Sequence, residues 1–301
     1  MRSVFGDTRK AESLFVCLIL LACMGCGSGS RPAPPPPTDT VPQFEHVVLL
    51  VEENHSYSEV IGSSAMPYLN SLASQYGLAT QYFANTHPSI GNYFMLTTGQ
   101  IVTNDDGFTG TVSVDNIARD LIAAGKTWKS YAESIPSHGY TGGDSYPYAK
   151  RHNPFSYFTD VVNDSSQAQN LVSFSQFNSD LANNQLPNLS FLVPNLLDDG
   201  HDGPLQLADA WLQLNIAPLI SNSTFQKSGL LIIVFGEAET SDSKNGGGHV
   251  AALVISAKAQ QGHQSTTLYQ HQSILRLILH GLRVPSYPAA ANSAPEMGEF
   301  F

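Results

Sequence analysis

The sequence is poor in cysteine, in basic residues and in long apolar runs. Only Cys17, Cys23 and Cys26 occur, and the 275 residues beyond Cys26 have none. A domain built from those residues therefore contains no disulfide. The 14 Lys and Arg are outnumbered by 25 Asp and Glu, for a net charge of −11, and no Lys/Arg-rich run appears. Phosphate-backbone binding needs clustered cations, so nucleic acid is not an expected partner. Charged residues make up 13 % of the chain and apolar ones 42 %, with 15 Phe and 12 Tyr. That balance excludes intrinsic disorder for the bulk of the chain. A length of 301 residues is ample for one large α/β domain or two ordinary ones.

The first 26 residues read as an export signal. Arg2, Arg9 and Lys10 precede the apolar run Leu14 to Ala22, which is too short to cross a bilayer. Leu20-Leu21-Ala22-Cys23 resembles a bacterial lipoprotein cleavage box, with Cys23 as the acylated residue; Cys26 after Gly25 offers a second such position, and an ordinary signal peptide is the alternative. Residues 27–44 are rich in Gly, Ser, Pro and Thr and include Pro34 to Pro37, an extended tether suited to holding a domain off a membrane. The expected location is outside the cytoplasm: lipid-anchored or periplasmic in a bacterial cell envelope, or secreted.

From residue 45 to 301 short apolar runs alternate with longer amphipathic stretches, the signature of one α/β domain with a largely parallel central sheet flanked by helices. Strands are expected at 46–51, 127–131, 189–193, 230–235 and 250–255. Helices are expected over 67–76, entered through Ser63 or Ser64, over 204–220 with an early Pro204, and over 270–281, stopped at Gly281. An amphipathic stretch covers Tyr93 to Thr98. Residues 135–184, poor in periodicity and rich in Ser, Asn, Tyr and Gly, are expected to form long loops over one sheet face.

Polar residues collect where three of these strands end, at the carboxyl edge where open α/β sheets form their crevice. The first run ends in Glu52-Glu53-Asn54-His55-Ser56, the run at 189 leads to Asn195 and then Asp198 to Gly203, and the run at 230 ends in Glu237 and Glu239. Carboxylate and amide oxygens suit a hard or borderline divalent cation. A single such cluster would read as solvated loop charge; three at equivalent strand ends point to a site. Ser89, in Thr86-His87-Pro88-Ser89, precedes an apolar stretch and so falls near a helix N-terminus, where amide groups favour a phosphate oxygen or an ionised hydroxyl. Spacing alone reads equally well as a helix cap, and a nucleophilic serine needs a base or metal beside it. His152 and His201 are candidate anion-binding or proton-donating groups.

Five segments together resemble the phosphoesterases that include bacterial acid phosphatases and phosphatidylcholine-type phospholipases C, within the alkaline phosphatase superfamily. They are Glu53-Asn54-His55-Ser56-Tyr57, Thr86-His87-Pro88-Ser89 with Asn92-Tyr93, Lys150-Arg151-His152-Asn153-Pro154-Phe155, Asp199-Gly200-His201-Asp202-Gly203 and Tyr269-Gln270-His271, spread over a resemblance from about His46 to about Pro285. The resemblance implies an alkaline phosphatase-like fold and one divalent metal ion, of unspecified identity, held by Glu53, Asn54, Ser89 and Glu237. It implies Ser89 as the nucleophile, with His152 and His201 acting on the phosphate or its proton. His87, Asn92, His152, His201 and Asp202 are implied to face the substrate, a small phosphate ester or a phospholipid head group. No protein partner is expected.

The sequence departs from that pattern once. The strand at 230 would be expected to end in Asp-Glu, both metal ligands, whereas Gly236 precedes Glu237. Glu239, Asp242 or water would then fill the vacant position, or the metal would bind weakly. Three functions remain open on the sequence: an acid phosphatase-like hydrolase, a phospholipase C-type phosphodiesterase, and a catalytically impaired envelope protein that binds phosphorylated ligands.

Overall fold

A computed structural model describes residues 41–301, which belong to one compact unit. The export signal, the cysteines and most of the tether lie outside the described residues. Among the described residues no helix is long and apolar enough to cross a membrane.

The strands are β1 (His46–Glu52), β2 (Gly77–Ala79), β3 (Tyr82–Phe83), β4 (Trp128–Ala132), β5 (Leu171–Ser173), β6 (Leu189–Val193), β7 (Gly229–Phe235), β8 (Ala252–Ile255), β9 (Gln264–Ser265) and β10 (Tyr269–Gln270). Eight of them form one sheet in the order β5-β4-β6-β1-β7-β8-β2-β9, and β10 pairs with β3 in a small second sheet. From β5 to β7 every neighbour is parallel; β8 runs antiparallel to both β7 and β2. The sheet is thus largely parallel, as the alternating pattern implies. The centre is β1, whose Val47 to Val51 are buried, between β6 and β7, which are buried throughout. A parallel strand covered on both faces needs no polar alternation, which is why these three read as unbroken apolar runs.

Helices cover the sheet. Pro67–Gln75, Leu205–Ser221 and His271–Gly281 fall within about a residue of expectation. The first is capped at Met66 rather than at Ser63 or Ser64, because Asp209 of the Leu205–Ser221 helix accepts from Tyr68 N at 2.9 Å and Leu69 N at 2.8 Å and so satisfies its first turn from outside. Gly281 does not end its helix by a left-handed turn; it is the last helical residue, packed against the Phe44 ring, with its carbonyl accepting from Phe44 N.

Two expectations are corrected. The 135–184 stretch is not only loop: it holds β5, paired with β4, and the helix Phe174–Ala182, whose Phe174, Phe177 and Leu181 are buried at helical spacing. The stretch after Ser89 is no amphipathic surface helix, since all ten residues of the Ser89–Thr98 helix are buried. Its two threonines are satisfied locally: Thr97 and Thr98 donate to the carbonyls of Tyr93 and Phe94. It ends at Gly99, in the left-handed region at φ 70°.

Candidate active site

The parallel strands deliver their carboxyl ends to one edge. Glu52↔Phe235 is the last register pair of β1 and β7, and Gly236 N donates to Glu52 O at 2.8 Å, so Glu53 follows directly beside Gly236. On the other side Glu53 N donates to Asp199 O at 2.8 Å, which ties the end of β1 to the loop after β6. Across this edge the Ser89–Thr98 helix presents its first residue.

Ser89, 1 % exposed, donates to Glu237 Oε1 at 2.7 Å, and its Oγ lies 3.3 Å from Glu53 Oε2. Two carboxylates from different strand ends therefore converge on one hydroxyl. Burial raises the pKa of Glu53 well above the usual range, reinforced by the charges of Glu237 and Asp199. Burial also raises Glu237, against hydrogen bonds from Ser89 and His87. Glu53 Oε1 is buried without a hydrogen-bond partner. Two buried carboxylates with an orphaned oxygen lack positive charge, and a divalent cation fits that deficit. Asn54 follows Glu53 in the chain, in the left-handed region at φ 67°. Among the described residues no three His, Cys, Asp or Glu are placed to hold a metal; the residues brought together here are two carboxylates and the Ser89 hydroxyl.

Gly236 does not leave an empty place. A β-carbon there would collide with Glu53 Oε1 and approach Val51 Cγ1 to 3.3 Å. The Glu53 carboxylate thus lies against the glycine. Neither Glu239 nor Asp242 fills a position at the site. Exposed Glu239 accepts from Ser241 Oγ at 2.7 Å, and Asp242 accepts from the backbone of Lys244 and His249.

His87 and Asn92 serve the scaffold of the site. His87 Nδ1 bonds to Glu237 Oε2, and its Nε2 donates to Asp242 O at 2.9 Å. Asn92 accepts from Asn85 N at 2.9 Å and Thr86 N at 3.2 Å and donates to Thr86 O at 2.7 Å. Both ends of the Asn92 amide, expected at the substrate, hold the 85–86 backbone instead. That backbone carries His87 and Ser89.

His152 and His201 come together with ring centroids 5.8 Å apart. His152, 1 % exposed, stacks on Tyr93 at 4.9 Å and meets Asp199 Oδ2 through Nδ1 at 3.1 Å, leaving Nε2 without a partner. Burial, then the charges of Arg151 and His201, push its pKa well down, while burial raises Asp199 to about 7. His201 is more exposed and bonds Asp202 Oδ1 at 2.7 Å. His249, by contrast, stacks between Tyr57 and Phe83 and bonds Thr80 O, away from this cluster.

Sequence reasoning gave no role to three groups that lie in its own segments. Tyr93 stacks on His152, and burial, with the charges of Glu53 and Asp199, raises its phenol pKa well above the ordinary value. Arg151 adds a cation whose charge reaches Glu53 and Asp199. Glu52, beside Glu53, is fully buried with both oxygens unpartnered and its pKa raised by burial. The signal for Arg151 was present in the Lys-Arg-His run and that for Glu52 in the polar cluster at the end of the first run; Tyr93 reads as a core aromatic in sequence.

The Phosphoesterase family model matches residues 62–285. The chain belongs to the phosphoesterase family. The family model begins after β1, so Glu53 and Asn54 lie outside the match. A phosphatidylinositol-3-phosphatase of Mycobacterium tuberculosis is 30 % identical over 291 residues, covering 96 % of this chain and 94 % of that protein. A probable acid phosphatase of Kluyveromyces lactis is 32 % identical over 241 residues, and an acid phosphatase of Aspergillus fumigatus 30 % over 246. These cover 77 % and 78 % of the chain, which spans only 56 % and 54 % of their lengths. Among solved structures, an alkaline phosphatase superfamily protein of Vibrio parahaemolyticus aligns with a TM-score of 0.59 at 13 % identity, covering 87 % of this chain and 73 % of that one. The lipoteichoic acid synthase LtaP of Listeria monocytogenes aligns at 0.57 and 9 %, covering 85 % and 77 %. The fold is that of the alkaline phosphatase superfamily, and the reaction class of the family is phosphoric ester hydrolysis.

Proposed function

We propose that the protein is an exported, metal-dependent acid phosphatase that cleaves phosphate monoesters through Ser89. The observation that carries this reading is the buried Ser89 hydroxyl, 2.7 Å from Glu237 and 3.3 Å from Glu53, on the first residue of a buried helix. A divalent cation held by Glu53, Asn54, Ser89 and Glu237 would supply the positive charge that favours an ionised serine. Ser89 Oγ attacks phosphorus as its proton passes to Glu237 Oε1, and the bond from phosphorus to the alcohol oxygen breaks. His201, the more accessible imidazole, gives the leaving alcohol its proton; His152, held neutral by burial, orients the phosphate rather than protonating it. Water then cleaves the phosphoserine, returning the protons to His201 and Ser89.

A chromogenic phosphomonoester assayed with and without chelator tests the reading. Unchanged turnover in Ser89→Ala overturns it. Export rests on Arg2, Arg9, Lys10 and the run Leu14 to Ala22, and mass spectrometry of the mature N-terminus separates acylated Cys23 from an ordinary signal cleavage.

The tether and the phosphatidylinositol-3-phosphatase relative support a lipid substrate as a second reading. Comparing a soluble monoester, a phosphatidylinositol 3-phosphate and a short-chain phosphatidylcholine separates monoesterase from phospholipase C action. Gly236 supports a third reading, an impaired envelope protein that binds phosphorylated ligands; no turnover with any divalent ion, together with retained phosphate binding, would favour it.

A further inference from the structure

Asp106, in the segment between Gly99 and Asn116, reaches back over the start of the Ser89–Thr98 helix. Its Oδ1 accepts from Ile90 N at 3.1 Å, one residue from the Ser89 hydroxyl. Its Oδ2 lies 3.6 Å from Arg151 Nε, which is buried and makes no hydrogen bond. The guanidinium, 14 % exposed, is also 3.3 Å from Asp144 Oδ2 through Nη1. Both charges act within the site: Asp106 on Glu237 and His152, Arg151 on Glu53 and Asp199.

An amide at the start of a ten-residue helix and a neighbouring guanidinium are donors suited to a phosphate oxygen. Here a carboxylate, itself a two-oxygen anion, stands against both. A further group indicates that the place is completed by something other than protein: His152, 1 % exposed and within reach of the charges of Arg151 and Asp106, has its Nε2 buried without a partner. Neither Asp106 nor Arg151 is needed to hold the Ser89–Glu237–Glu53 cluster together.

We propose that Ile90 N and Arg151 form the seat of a non-bridging phosphate oxygen, and that Asp106 occupies this seat in the ligand-free protein until substrate phosphate displaces it. The proposal rests on the reading of the Ser89 surroundings as a phosphate site. Displacement has room, because Asp106 also lines a cavity of about 310 Å³ with Phe108, Thr141, Asp144 and Tyr157. Asp144 stays beside Arg151 throughout, so the guanidinium exchanges one anion for another and keeps its second counter-charge. The returning carboxylate weakens retention of inorganic phosphate, the product of hydrolysis.

The test is calorimetric titration of inorganic phosphate into the full-length protein, in chelator and in divalent cation, with thermal melts alongside. Asp106→Asn, which can still accept from Ile90 N, is expected to bind phosphate about tenfold tighter or more. Arg151→Met is expected to bind about tenfold more weakly, and the double variant to show little of the Asp106→Asn gain, since the two act on one ligand. Affinity unchanged or weakened in Asp106→Asn, with the melting temperature retained, would mean that Asp106 only caps the helix and overturns the proposal. So would a gain that persists in full on the Arg151→Met background. Should Asp106→Asn fold poorly, Asp106→Ser carries the same expectation. Binding does not need the serine: phosphate shifts that hold while no variant or wild type turns over an ester would sink the Ser89 mechanism and leave this proposal standing.

Discussion

Ser89 Oγ and Glu237 Oε1, 148 residues apart in sequence, meet at 2.7 Å between the start of a buried helix and the end of β7. The hydroxyl has a proton acceptor in place before substrate arrives. On the proposed mechanism, replacing Ser89 by Ala removes the nucleophile, and turnover of a phosphomonoester should fall by about 10³-fold or more. The same substitution also removes a buried hydrogen-bond donor that Glu237 uses, so a melt on the metal-free variant should show a loss of about 1–3 kcal/mol at most. A variant that keeps most of its kcat would remove Ser89 from the chemistry.

His87 holds the other oxygen of that carboxylate. Its Nε2 donates to the Asp242 carbonyl, so its ring is fixed and Nδ1 is directed at Glu237 Oε2. Removing a partner that orients a ligand in this way costs about 10–100-fold in activity or metal affinity. His87→Ala should lower both by that order, measured as kcat and as metal affinity, and His87→Gln should recover part of the loss.

Asp209 tests the scaffold separately from the site. Its buried carboxylate accepts the second and third amides of the Pro67–Gln75 helix. Asp209→Ala leaves both amides unpaired, and the expected cost is about 1–3 kcal/mol. Denaturant unfolding should record that loss while kcat of the folded protein stays near wild type.

What was legible in the sequence followed from where pattern and environment agree. The strands β1, β6 and β7 are buried on both faces, so their apolar runs mark them, and the residues that follow each run, among them Glu53, Asp199 and Glu237, belong to the site. The two- and three-residue strands β2, β5 and β9 are too short to show a period. The Ser89–Thr98 helix is surrounded by protein, so no polar face distinguishes it. For polar side chains the missing information is direction: nothing in the sequence tells that Asn92 turns back to the 85–86 backbone, that Glu239 turns out to Ser241, or that Glu53 lies against Gly236.

Asp199 gives the stability of the metal-free protein a definite dependence on pH. Burial raises its pKa from the ordinary carboxyl value to about 7, so between about pH 4 and 7 the folded protein holds a proton that the unfolded chain has released. Its contribution is therefore fully present below about pH 4 and is lost as pH rises through about 7. Asparagine keeps an acceptor for His201 N, which bonds Asp199 Oδ1 at 2.8 Å, and does not titrate. Thermal melts from pH 4 to 8 in chelator should show Asp199→Asn gaining on wild type as pH rises. A constant difference across that window would contradict the shift.

Gly236 is the position at which an acidic residue would be expected to restore a ligand. The geometry predicts the opposite. Any β-carbon at 236 collides with Glu53 Oε1, and Val51 Cγ1 closes the space behind at 3.3 Å. Gly236→Asp would force the Glu53 carboxylate off Ser89 while adding a third negative charge to two carboxylates already short of compensation. Overpacking of this kind costs about 1–3 kcal/mol, and, on the proposed mechanism, displacement of a group that contacts the Ser89 hydroxyl should lower kcat by about tenfold or more. Gly236→Ala separates the two causes, since it brings the collision without the charge. Parallel melts and kcat values should place Gly236→Ala between wild type and Gly236→Asp. A Gly236→Asp variant with higher activity and tighter metal binding than wild type would instead mean that Glu53 can move aside and that the natural protein lacks a ligand.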